Sequence, residues 1–152
     1  MAKVCSRCDA KAGFLVGLTF HTVHDKCMCS DCAREYIDEG TKDIIVTTTN
    51  SVDGYSITSY HGIESVEIVI GTGMFSEISS GIDDFFGSRS SAFEQKLSTA
   101  KETAFKKLKL IAFEEGADAI VGIDLDYTEF SGNRIGLIVN GTLVSLEEIF
   151  YD

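Results

Sequence analysis

The chain has 152 residues, 44% of them hydrophobic, and carries 13 basic against 24 acidic side chains for a formal net charge of −11. That apolar content excludes a disordered chain, and the length fits one main domain with a small appendage. The acidity is uneven: residues 1–40 are close to neutral and residues 41–152 carry nearly all of the excess, which sets them against nucleic-acid backbones and anionic membranes.

No stretch approaches the roughly 18 apolar residues of a membrane span. The opening Met1-Ala2-Lys3-Val4-Cys5 lacks the apolar core of a secretory signal, so a reducing cytoplasm is the expected setting. There, cysteines are expected to bind metal or do chemistry before they form structural disulfides.

All five cysteines fall in the first 32 residues: Cys5, Cys8, Cys27, Cys29 and Cys32. The Cys-x2-Cys pairs Cys5/Cys8 and Cys29/Cys32 have the spacing of a closed four-thiolate zinc site, each pair turning tightly enough to aim two sulfurs at one point. Residues 1–40 are therefore expected to form a zinc-ribbon-like module. A segment so short needs a staple to fold. Four thiolates leave no open coordination position, which makes the expected zinc structural; iron in a rubredoxin-like arrangement is the alternative. Cys27 is too close to Cys29 to replace it without changing the turn, and is read as a small apolar residue packed beside the site, with an alternative ligand or a redox-sensitive thiol as the sharper reading. His21 and His24 invite a two-Cys, two-His reading. Their gap is shorter than that pattern requires, and they are expected on a hairpin surface.

Gly13 to Phe20 suits a hairpin arm. Ser30 to Glu39 suits a short helix, with Ser30 as its cap and Gly40 as its stop. Thr41-Lys42-Asp43 links to a second domain, residues 41–152. There, Ile44 to Thr49 reads as a strand, Asn50 to Gly54 as a turn, and Tyr55–Tyr60 and Ile63–Ile70 as strands broken near Gly62. A short helix over 75–86 is expected. Gly71-Thr72-Gly73-Met74-Phe75-Ser76 resembles a nucleotide fingerprint but has Ser76 in place of the third glycine and reads as a plain turn.

The clearest helix begins at Ser91 with the capping box Ser91-Ala92-Phe93-Glu94 and stops at Gly116. Phe93, Leu97, Ala100, Ala104, Leu108 and Ile111 share one face, leaving Leu110 and Phe113 off it. Ala119 to Tyr127 alternates with apolar odd positions. Ile135, Leu137 and Val139 keep that phase, and Val144 and Leu146 reverse it, which places a bulge or turn at Asn140-Gly141. The order predicts an α+β fold, a two-layer antiparallel sheet with one long helix. Asp83/Asp84, Glu114/Glu115 and Asp124/Asp126 read as solvated acids, with a weak cation site across a subunit interface as the alternative. Arg89 reads as an interface or anion-binding residue near the helix start.

Residues 44–147 resemble the YbjQ-like family, labelled heavy-metal-binding. The likeness rests on Ile45-Val46-Thr47-Thr48-Thr49, Gly54-Tyr55, Gly87-Ser88-Arg89-Ser90, Glu94 in the helix that follows, Gly116 to Gly122 with Asp126-Tyr127, and Gly141-Thr142. It implies an antiparallel sheet backed by a long helix, assembled as a homopentamer, with no established reaction. Residues 41–152 contain no cysteine, one histidine (His61) and one methionine (Met74), a poor donor set for a soft metal. The metal is therefore expected on Cys5, Cys8, Cys29 and Cys32. The resulting reading is a non-enzymatic, zinc-stabilised oligomeric binding or scaffold protein that meets a protein partner through its head. A metal-storing or metal-sensing role for the cysteine module is the alternative. Leu110 and Phe113 are expected to be covered by a neighbouring subunit or by the zinc head, and the resemblance favours the subunit contact.

Overall fold

The computed structural model describes residues 3–11, 19–70, 88–130 and 134–150. Gly13 to Leu18, the segment Gly71 to Ser76, the helix expected over 75–86, and Asp83/Asp84 lie outside the described residues.

The head starts with a tight knuckle, Asp9 N donating to Cys5 O at 3.0 Å and Cys5 N to Ala10 O at 2.9 Å. Strands β1 (Phe20–Val23) and β2 (Lys26–Cys29) form an antiparallel hairpin. His24 and Asp25 make its two-residue turn with φ of 46° and 60°, the paired positive values that match the twist of a hairpin. Ser6 N donates to Cys27 O at 2.8 Å and stitches the knuckle to β2.

Helix α1 (Ser30–Lys42) follows directly. Ser30 does not cap it. Cys29 holds the N-cap position, and the Ser30 hydroxyl turns back to donate to Thr19 O at 3.2 Å. Gly40 does not stop the helix, which runs on to Lys42. A side chain at Gly40 would overlap the Phe113 ring, so this glycine provides room for a neighbour.

Strand β3 is only Ile45–Val46, shorter than expected, and it pairs in parallel with β5 (Ala119–Phe130). The threonines after it leave the ladder as a loop whose carbonyls still accept bonds from β5, Gly122 N to Thr49 O at 2.8 Å and Ile123 N to Thr47 O at 3.0 Å. The two strands expected on either side of Gly62 are one continuous strand, β4 (Tyr55–Ile70). The break is a pair of register shifts, one of them at Gly62 with φ 124°. β6 (Arg134–Glu148) pairs antiparallel with β4 and β5, giving the order β3-β5-β6-β4.

Helix α2 (Ser88–Glu114) begins three residues before the expected capping box. Ala100, Ala104, Leu108 and Ala112 are buried at four-residue spacing, a stripe of mostly small side chains that seats the helix close to the sheet. Opposite them lie Val66 of β4, Ile120 and Ile123 of β5, and Leu137, Val139 and Leu143 of β6. The helix ends as expected at Gly116, φ 71°, where Ala117 N reaches Ala112 O at 2.8 Å and Gly116 N reaches Phe113 O at 3.2 Å. That double bond pattern satisfies the last carbonyls.

The expected phase reversal at Asn140-Gly141 is absent, because β6 runs straight through. The irregularity sits across from it in β5, between Val121 and Asp124. Gly122 takes φ 62° there. Ala119 and Val121 therefore face a small outer cluster with Val144, and Ile120, Ile123 and Leu125 face the helix.

Among the described residues, no helix is long and apolar enough to cross a membrane.

Candidate metal centre

Three elements converge on one point in the head. The knuckle contributes Cys5 and Cys8, the end of β2 contributes Cys29, and the first turn of α1 contributes Cys32. Their sulfurs all lie within 4.8 Å of one another. Cys8 Sγ and Cys29 Sγ are 3.7 Å apart, too far for a disulfide, and all five cysteines are free. A tetrahedral zinc with sulfurs at about 2.3 Å has an edge of about 3.8 Å, so this pair already sits at a tetrahedral edge. Cys5 and Cys29 are buried, Cys32 is half-buried and Cys8 is exposed.

The electrostatics of the four thiols favour a cation. The Cys29 amide, aimed at the Cys5 sulfur, lowers the Cys5 thiol to about 6 against the opposing pull of burial, with help from the Arg7 and Cys8 amides. Hydrogen bonding with Cys8 and Cys29, together with burial, pushes the Cys32 thiol up. Four sulfurs this close cannot all ionise without a positive charge among them.

Cys27 takes no part in the cluster. It lies on β2 opposite Thr22 and contributes its carbonyl to Ser6. The histidines also stand apart. His21 Nε2 is 3.2 Å from Ser30 Oγ, and His24 faces Tyr36 and Phe113. In the sheet, His61 Nε2 pairs with Ser145 Oγ at 2.7 Å. Asp124 and Asp126 are exposed on the face of β5 turned away from α2, and the Arg89 side chain lies outside the described residues.

Charge also ties the knuckle to α1: the Arg7 guanidinium reaches Glu39 at 2.9 Å and Glu35 at 3.8 Å. These groups are substantially exposed, so the pairs add little energy and mainly fix orientation.

Phe113 belongs to this region. It packs against the head cluster of Cys5, Val23, Met28, Cys29 and Ala33 and also against the main core. Of the two covers expected for Phe113, a neighbouring subunit and the zinc head, the head supplies one within the chain. In the sequence Gly40 reads as the helix stop, and nothing near it points to Phe113.

The sheet side offers a shallow depression of about 320 Å³ lined by Ile45, Thr47, Thr49, Ser51, Val52 and Asp53. Its hydroxyls are bonded to one another, Thr47 Oγ1 to Thr49 Oγ1 at 2.7 Å and Thr49 Oγ1 onward to Ser51 O at 2.6 Å.

Residues 44–147 match the profile of the YbjQ family, described as "Putative heavy-metal-binding". A UPF0145 protein of Bifidobacterium longum (strain DJO10A) is 41% identical over 105 residues, covering 68% of this chain and 96% of its own. A UPF0145 protein of Clostridium kluyveri (strain ATCC 8527) is 39% identical over 106 residues, covering 68% of this chain and 100% of its own. A crystal structure of a DUF74-family protein of unknown function from Pediococcus pentosaceus ATCC 25745 is similar with a TM-score of 0.39 and 18% identity, covering 68% of this chain and 98% of its own. The profile match and the identity and extent of these relatives together mean that the chain belongs to the YbjQ family, UPF0145, with its four-cysteine head on the N-terminal side of the matched span.

Proposed function

We propose that the protein is a non-enzymatic binding or scaffold protein, in which a zinc-stabilised head is displayed in several copies by a self-associating YbjQ body. The observation that carries the reading is the gathering of four sulfurs within 4.8 Å, contributed by three separate elements. Four thiolates close the coordination shell, so the zinc holds the head together and activates no water. The proposed site residues are Cys5, Cys8, Cys29 and Cys32.

Support for self-association comes from β4. It is 16 residues long, and among the described residues it pairs with β6 alone, leaving its other edge open. Tyr60 and Ile63, 71% and 77% exposed on this strand, are large apolar groups that a lone subunit would leave in water. A homo-oligomer, a pentamer by the family resemblance, covers them and raises the avidity of each head for a multivalent protein partner.

Protein purified without added metal is expected to contain one zinc per chain by elemental analysis and to sediment as a homo-oligomer. Metal-free or iron-loaded protein overturns the zinc assignment, and a monomer overturns the display.

A second reading, metal storage or sensing, is favoured by the exposure of Cys8, which gives an incoming chelator a sulfur to attack. The rate of zinc transfer to a colorimetric chelator separates the two readings. A scaffold releases zinc over hours, and a handling protein releases it in seconds to minutes.

A further inference from the structure

The grip of the head on α2 is built from the same element that supplies a cysteine. Cys32, Tyr36 and Gly40 recur every four residues along α1 and so share one face. Cys32 meets the sulfur cluster at one end of that face, and Phe113 meets Tyr36 and Gly40 further along. Tyr36 packs edge-on to the Phe113 ring at 5.4 Å between centroids. At Gly40 the ring lies against bare backbone, in space that any side chain would fill.

The hairpin closes the other side. The His24 ring is 4.5 Å from the Phe113 ring, and its Nε2 is 2.9 Å from the Phe113 carbonyl oxygen. A carbonyl only accepts, so Nε2 carries the hydrogen, and Nδ1 is left to accept the Tyr36 hydroxyl at 3.3 Å. Lys109 of α2 reaches back to cap the Thr41 carbonyl near the end of α1 at 3.3 Å. The C-terminal turn of α2 is thus held by a ring of head residues, and β2 and α1 each carry a cluster cysteine.

We infer that the head is a metal-responsive clasp: zinc on Cys5, Cys8, Cys29 and Cys32 fixes α1 in the orientation that grips Phe113, and loss of zinc releases the end of α2. The inference rests on the metal reading of the four cysteines. Without the ion, the knuckle is joined to the rest of the head by the Ser6 bond, the exposed Arg7 pairs and the packing of Cys5 and Ala10 against Val23, Met28 and Ala33, a contact of a few small side chains. A helix as short as α1 is marginal by itself. Once its first turn loosens, its far end no longer presents Tyr36 and Gly40 to the ring. The coupling is reciprocal: a change that opens the clasp weakens zinc binding by the factor by which zinc tightens the clasp.

The test is amide hydrogen exchange on the full-length protein, zinc-loaded and after chelation, read at residues 105–117 with β5 and β6 as the internal reference. Chelation is expected to speed exchange at the α2 end about tenfold or more while the reference strands hold their rates. Gly40→Ala, saturated with zinc, is expected to show the same acceleration with the metal still bound. Its zinc affinity, measured by chelator competition, should fall by the matching factor. His24→Ala provides a second opening of the clasp from the hairpin side, with the sequence of α1 unchanged. Zinc binding with an unresponsive α2 end overturns the clasp and leaves the metal reading standing. Wild-type exchange and wild-type zinc affinity in both variants overturn it equally. A protein that binds no zinc overturns the metal reading and the clasp with it.

Discussion

Cys29→Ser is expected to empty the metal site and unfold the head, leaving residues 44–150 folded. Cys29 is the last residue of β2 and the N-cap of α1, so two elements lose their common anchor at once. Its buried sulfur is one of the four, 3.7 Å from Cys8. A serine hydroxyl is neutral at pH 7, shorter, and a poor donor to a thiophilic ion. Structural zinc is worth about 10–16 kcal/mol of apparent binding free energy in small modules. Among the described residues the head has little to set against that loss: Val23, Met28 and Ala33 are its buried side chains other than cysteines. Burial of a Val or Met contributes about 1.5–3 kcal/mol, against about 1–2 kcal/mol of backbone entropy for every residue ordered. The metal term decides the outcome. In a two-dimensional amide spectrum, the peaks of residues 3–42 should collapse to the unfolded region and those of β5 and β6 should stay. Dispersed head peaks in the zinc-free variant would refute the assignment. Cys27→Ser is the control. Its sulfur lies outside the cluster, so zinc content and head spectrum should stay as in the native protein.

The two kinds of information in the sequence behaved differently. Chemistry carried by spacing was legible: the two Cys-x2-Cys pairs that the sequence singles out are the ones brought together, because a tight turn within each pair is a local event. The long helix was legible for the same reason, and Ala100, Ala104 and Leu108 of its expected face are buried, but Ala112, and not Ile111, completes the buried stripe. Glycine was not legible. Gly40 follows a helical run and reads as its stop, because that is the commonest role of glycine there. It is instead a gap for Phe113, 73 residues away, and nothing local encodes that contact. The reversed phase of Val144 and Leu146 suggested an irregularity in their own strand at Gly141. Yet β6 is regular. Leu143 and Gly141 face the helix, Val144 and Leu146 face the outer cluster, and ordinary alternation accounts for both. The bulge lies in β5, where the strict odd-position pattern of Ala119 to Tyr127 concealed it. Ala119 and Val121 are buried on one face, Ile123 is buried and Leu125 half-buried on the other, and a sequence cannot distinguish two such faces joined by a bulge from one continuous face. The parallel pairing of β3 was equally hidden, since a two-residue strand has no periodicity to read.

Gly141→Val is expected to lower the melting temperature of the body by roughly 10–20 °C while leaving zinc content unchanged. The β5 bulge turns both Ile120 and Ile123 toward α2, and Gly141 of β6 is the residue they close over. A Cβ at position 141 would lie 2.5 Å from Ile120 Cγ2 and 2.8 Å from Ile123 Cδ1. Neither isoleucine can retreat freely. Both are buried, and the layer beyond them is α2 with Leu108 at full burial. Overpacking a filled core costs about 1–3 kcal/mol, and a β-branched side chain between two isoleucines belongs at the upper end. Valine favours strands over glycine by at most about 1 kcal/mol, too little to offset the clash. For a domain of this size each kcal/mol shifts the midpoint by about 4–8 °C. Gly122→Ala makes the comparison informative. There the obstacle is a backbone φ of 62° with only Asn50 Oδ1 nearby at 3.2 Å, so the cost is the conformational strain of about 1–2 kcal/mol. A larger loss at Gly141 than at Gly122 means that the bulge is held by packing of the two isoleucines. The reverse order in a thermal melt would mean that the left-handed turn itself sets the register, and the packing account of β5 would fail.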